Sequence, residues 1–134
     1  MAVSKTTREE VRQRANRRCE YCGKPEGFSN FPHSIDHIIA LMHDGSNELS
    51  NLAWACFQCN CTKSSNIASY DEGQLTPLFN PRTQVWSDHF EMDEEVIQAR
   101  TAIGRVTIKV LQMNHPDQLE TRRRLIHAGE WKPM

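Results

Sequence analysis

No run of apolar residues in this 134-residue chain approaches the ~20 needed to span a bilayer as a helix. The first ten residues, MAVSKTTREE, lack the apolar stretch of an export signal. Both absences point to a soluble, cytoplasmic protein with no membrane partner. Aromatic residues are scarce at 7%, and the net charge is only −1, which excludes a blanket of positive charge. Cations are nearly missing from the centre: residues 25–80 hold Lys63 alone against six acids, whereas residues 1–24 hold seven Lys and Arg against three Glu. A basic leader beside a cation-poor centre suits a phosphate-bearing partner gripped at its edge and a metal held in the middle, although a solvated helix face explains the leader equally well. With 38% hydrophobic and 25% charged residues the chain is polar but not of disordered composition, and its length allows one domain, or one core with an appendage.

The five cysteines are an odd number, which together with the missing export signal argues against a disulfide framework. Four of them form two identical knuckles, Cys19-Glu-Tyr-Cys22 and Cys56-Phe-Gln-Cys59. Each knuckle brings two thiolates onto one face of a tetrahedron, so the pair is expected to hold a structural Zn²⁺. Cys61 is then a bystander, because a fifth thiolate exceeds the tetrahedral count.

Thr7-Arg8-Glu9-Glu10 reads as a capping box opening a helix toward Arg18, with Val11 and Ala15 inward. Residues 28–40 read as a strand or strand pair, and Asn60 to about Ser65 as a short helix. Residues 64–76 read as a polar linker. Beyond it, residues 85–92 and 96–100 suggest a β-hairpin separated by Asp93-Glu94-Glu95. Ile103, Val106, Val110 and Met113 recur at helical spacing, and Asp117-x-x-Glu120 caps a last helix carrying Arg122-Arg123-Arg124. The expected architecture is α+β: a zinc-stabilised module over residues 1–66, and a C-terminal extension over residues 67–134 made of linker, hairpin and two helices, packed on or next to it.

The chemistry lies between the knuckles. Asp36 and Asn60 offer oxygen atoms to a hard divalent cation, Mg²⁺ or Mn²⁺, which would neutralise charge on a phosphodiester. His37 is suited to act as a general base near neutral pH. Adjacent strand residues point to opposite faces, so a local distortion is expected to turn its imidazole toward the metal. Asn51 either holds that imidazole, pins the turn, or simply caps a helix.

The stretches CEYC, SIDHIIA, NLAWACFQCN and Lys63 give the chain a resemblance to the HNH endonucleases, whose fold is the small ββα-metal (His-Me finger) module, here in a four-cysteine, zinc-bearing form. The resemblance implies that Asp36 and Asn60 bind the catalytic metal, that His37 is the general base and that Asn51 supports it. Asn60 stands where the family more often has His, which makes this an H-N-N variant. The implied activity is metal-dependent hydrolysis of DNA phosphodiester bonds, leaving 5′-phosphate and 3′-hydroxyl ends. RNA is the other candidate substrate. Lys63, Arg14, Arg17 and Arg18 are the expected contacts to the nucleic-acid backbone, and the C-terminal extension is a candidate surface for a homodimer or a partner protein. The rival readings are a zinc-stabilised nucleic-acid-binding module without catalysis, and a nuclease subunit that needs a partner. A second Asp-His pair, Asp88-His89, lacks flanking knuckles and a downstream Asn, and reads as structural.

Overall fold

The computed structural model describes residues 2–134. Helix α1 (Lys5–Arg14) starts three residues earlier than the Thr7 capping box suggests, because Ser4 is the cap: its Oγ accepts from the Thr7 amide at 3.1 Å. Asn16 and Arg17 are both left-handed and turn the chain out of the helix into the first knuckle. Strand β1 (Ser34–His37) is shorter than the expected 28–40 segment and pairs antiparallel with β2 (Leu52–Ala55), Asp36 facing Ala53 and His37 facing Leu52. Helix α2 (Phe57–Lys63) follows at once, capped by the Cys56 sulfur, which accepts from the Cys59 amide.

β2 is buried along its whole length because both its faces are covered. Leu52 and Trp54 pack toward Val11 of α1, while Ala53 and Ala55 alternate to the opposite side and join the four knuckle cysteines. The ββα unit is thus clamped between a helix and a cysteine cluster.

The expected linker contains a hairpin, β3 (Ala68–Asp71) and β4 (Gln74–Pro77). Its two-residue loop, Glu72-Gly73, has positive φ at both positions, the geometry that matches strand twist in tight hairpins. The stretch expected to open the second hairpin is instead a one-turn helix, α3 (Trp86–His89). After it come β5 (Phe90–Asp93) and β6 (Val96–Ala99), paired as expected across Glu94-Glu95. Helices α4 (Ala102–Leu111) and α5 (Pro116–His127) complete the chain. His115, not Asp117, caps α5, its Nδ1 accepting from the Asp117 amide.

The C-terminal half shares its core with the knuckles: Phe79, Phe90, Ile97, Val106, Leu111 and Met113 form one buried apolar cluster with the four cysteines. Gly104 lets α4 enter this layer. A Cβ there would sit 2.2 Å from the His89 carbonyl oxygen and 3.3 Å from the Ala99 Cβ. Gly104→Ala is therefore expected to destabilise the protein by ~1–3 kcal/mol through overpacking, measured by denaturant unfolding at saturating zinc.

Candidate active site and metal centre

The four knuckle sulfurs lie within 4.8 Å of one another, all buried, and Cys22 Sγ and Cys56 Sγ are 3.7 Å apart. A tetrahedron with metal–sulfur bonds of about 2.3 Å has edges of about 3.8 Å, so the cluster has the size and the all-thiol chemistry of a structural metal site. Hydrogen bonding among the four crowded sulfurs holds the Cys22 thiol well below its usual range and pushes those of Cys56 and Cys59 above theirs. Cys61 is exposed on α2 and stands apart from the cluster.

Asp36 is buried. Its Oδ2 accepts from the Tyr21 hydroxyl at 2.6 Å and its Oδ1 from Lys63 Nζ at 3.2 Å. Burial raises the Asp36 carboxyl above its ordinary value, opposed by the Lys63 charge and the Tyr21 hydrogen bond. The same burial, with the nearby Asp36 charge, pushes the Tyr21 hydroxyl well above its usual range and keeps it a donor.

Lys63, expected to reach phosphate, faces inward. Only 1% of it is exposed, and its ammonium also donates to the carbonyls of His37 at 3.0 Å and Ile38 at 3.2 Å. All three donors are spent inside the fold, so Lys63 holds the end of β1 and Asp36 rather than a substrate. Lys63→Met leaves the Asp36 carboxyl buried and unpaired. The expected cost is ~3–5 kcal/mol, read from denaturant unfolding of the zinc-loaded protein.

His37 and Asp36 keep regular antiparallel register, so the anticipated distortion of the strand is absent. The imidazole is positioned by a residue that sequence reasoning missed: His37 Nε2 lies 2.7 Å from Asn47 Oδ1. An amide oxygen only accepts, so Nε2 is the donor of this bond. The only sequence cue to Asn47 was its place in the turn after the Asp-His pair.

Asn51 is buried and pins that turn. Its Oδ1 accepts from the Ile39 amide at 2.8 Å, and its Nδ2 donates to the Ile39 carbonyl at 2.9 Å and the Ser46 carbonyl at 2.8 Å. Gly45 gives this loop its closeness: a Cβ there would lie 1.7 Å from the Ile39 carbonyl oxygen. Asn60, half-buried on α2, donates through Nδ2 to Ser34 Oγ at 2.7 Å and to the Ile35 carbonyl at 3.2 Å. With the nitrogen tied to β1, its Oδ1 is the atom suited to ligate a cation. Asn60 is thus tied by its amide nitrogen to the strand that carries Asp36 and His37, with Asn51 and Asn47 shaping the loop beside it.

The basic leader is largely committed to structure. Arg14 donates to the carbonyls of Leu49 and Leu52, and Arg18 to those of Gly23, Lys132 and Pro133. Arg17 is exposed. Asp88 and His89 lie on α3, with His89 Nδ1 2.7 Å from Thr101 Oγ1, a structural contact.

The HNH endonuclease family model matches residues 19–66. That match spans both knuckles and every residue of the Asp36–Asn60 constellation, in agreement with the resemblance carried by CEYC, SIDHIIA and the second knuckle. The HNH segment is also similar to the CRISPR-associated endonuclease Cas9 of Corynebacterium diphtheriae, 43% identical over 54 residues. Those residues are 40% of this chain and 5% of that protein, so the chain shares one short segment of a far longer relative. No solved structure matches the chain. Among the described residues, no helix is long and apolar enough to cross a membrane.

Proposed function

We propose that the chain is a metal-dependent endonuclease that hydrolyses DNA phosphodiester bonds, with zinc in the four-cysteine cluster as a structural ion. The observation that carries this reading is the His37–Asn47 contact: Asn47 Oδ1 lies 2.7 Å from His37 Nε2 and fixes the imidazole at the end of β1, leaving its other nitrogen to act as the general base toward water. Asp36 and Asn60 are the oxygen ligands for Mg²⁺ or Mn²⁺. Such an ion, when bound, stabilises charge on the scissile phosphate and the departing 3′-oxygen. Mg²⁺ keeps several waters and uses few protein oxygens, so two ligands suffice. Lys63 and Tyr21 fix the Asp36 carboxylate, whose two oxygens have further lone pairs beyond the bonds they accept. Asn51 keeps the loop after His37 in place, and the exposed Arg17 is a leader cation for the DNA backbone.

A second reading, binding without cleavage, draws support from the burial of Asp36 beneath Tyr21 and Lys63. The two readings part in the products. Incubation of nicked plasmid with DNA ligase tests the chemistry: ends that ligase reseals directly are 5′-phosphate and 3′-hydroxyl, as proposed. Ends that need a kinase first contradict the assigned direction of attack. Matched DNA and RNA oligonucleotides test the substrate, with DNA expected to be cut faster.

A further inference from the structure

Arg122, on α5, is 1% exposed, and among the described residues it has no carboxylate partner. Its Nη1 donates to the Glu95 carbonyl at 2.6 Å and to Asn114 Oδ1 at 3.5 Å, its Nη2 to the Met113 carbonyl at 2.7 Å, and its buried Nε to no oxygen at all. A buried guanidinium without a counter-ion is costly. The carbonyl that its Nη2 holds belongs to Met113, which lies in one buried cluster with Cys19, Cys22, Cys56 and Cys59. In keeping with that placement, burial pushes the guanidinium down from its usual range and the charges of the four cysteines oppose the shift. The need is mutual, because four thiolates around a divalent ion leave a buried net charge of about −2.

A second arginine reaches the same place from the other half of the chain. Arg18, adjacent to Cys19, donates to the Lys132 and Pro133 carbonyls, and the Trp131 ring lies 6.0 Å from its guanidinium and 5.3 Å from that of Arg122. Met134 packs against the knuckle turn at Gly23, where an added Cβ would meet its sulfur at 2.9 Å. Residues 131–134 therefore lie against the first knuckle, with the Trp131 indole shared by Arg18 and by Arg122 of the last helix.

We propose that Arg122 is the counter-ion of the metal–thiolate centre, so that the C-terminal extension completes the metal site of the HNH segment and sets how firmly it keeps its ion. The inference rests on the zinc reading of the cysteine cluster. Its role is electrostatic: the positive charge offsets the anionic centre, and the hydrogen bonds to Met113 and Glu95 only orient the guanidinium.

The test uses the full chain loaded with zinc. Metal content is measured by mass spectrometry, and the rate of zinc transfer to an excess of a chromogenic chelator is compared for wild type, Arg122→Met and Arg122→Lys. Cobalt-substituted samples check by their thiolate charge-transfer bands that each variant still forms the four-sulfur site. Arg122→Met is expected to release zinc at least ~10-fold faster, and Arg122→Lys, which keeps the charge but loses the forked hydrogen bonds, to stay within about threefold of wild type. Equal rates for wild type and Arg122→Met overturn the proposal, and so do equal rates for the Met and Lys variants, which would make the role one of packing. Should Arg122→Met not fold, Arg122→Gln against Arg122→Lys decides the same point, the Gln variant releasing zinc faster if charge is what matters. A wild-type chain that neither contains nor takes up zinc overturns the zinc reading itself, a result distinct from unchanged release.

Discussion

Cys56→Ser is expected to leave the chain unfolded from end to end, well beyond the ββα unit that carries the mutation. The reason is the shared core: Phe79, Phe90, Ile97, Val106, Leu111 and Met113 pack in the same cluster as Cys19, Cys22, Cys56 and Cys59. Structural zinc contributes about 10–16 kcal/mol in small domains, comparable with or larger than the 5–15 kcal/mol by which whole domains are stable. Loss of one sulfur also leaves three buried thiols crowded together, although Ser at the N-cap of α2 can still accept from the Cys59 amide. Hydrogen exchange checks the extent of the collapse: amide protection of α4 and of the β5–β6 hairpin should vanish together with that of β1–β2. A C-terminal half that stays protected while the knuckles open would show two independent folding units and contradict the shared core.

His37→Ala is expected to reduce DNA cleavage by about 10²–10⁴-fold, the usual contribution of a positioned general base, with zinc content and unfolding midpoint unchanged. The side chain is only half-buried and stands at the end of β1, so its removal opens no core cavity. Asn47→Ala should have a smaller effect of the same sign. The imidazole would lose the acceptor that orients it through Nε2, while keeping its strand position. Cleavage kinetics on supercoiled plasmid read both. A His37→Ala protein with wild-type rate removes the base from the mechanism.

The site was legible in the sequence where the chemistry demands a fixed residue type at a fixed spacing. The two Cys-x-x-C knuckles meet in one buried cluster, and Asn60, directly after Cys59, is hydrogen-bonded to the strand that carries Asp36 and His37. What the sequence concealed is decided by tertiary burial. Lys63 looks like any cation finishing a helix, yet it is drawn inward because Asp36 is buried and needs a partner. Arg14 and Arg18 look like a DNA-facing stripe, but loop carbonyls and residues 132–133 take up their guanidinium groups. Asn47 is one polar residue among several in a turn, and nothing local marks it as the imidazole's partner. Two errors were local. Ser4 competes with Thr7 for the helix cap and wins. Glu72-Gly73 carried a hairpin signal that the polar surroundings of residues 64–76 obscured. Helical spacing marks α4 and the Asp93-Glu94-Glu95 break marks the β5–β6 hairpin, whereas the joining of the extension to the knuckle core depends on contacts that no pattern along the chain records.

The most direct test of the account is cleavage of supercoiled plasmid by the zinc-replete wild-type chain, titrated with Mg²⁺ and with Mn²⁺, beside a gel-retardation assay on the same DNA. The account predicts nicking that rises with the divalent ion and is absent without it. Retarded DNA that stays intact at every concentration of either ion would contradict it, and would leave the HNH segment as a binding module whose Asp36 is sealed by Lys63 and Tyr21.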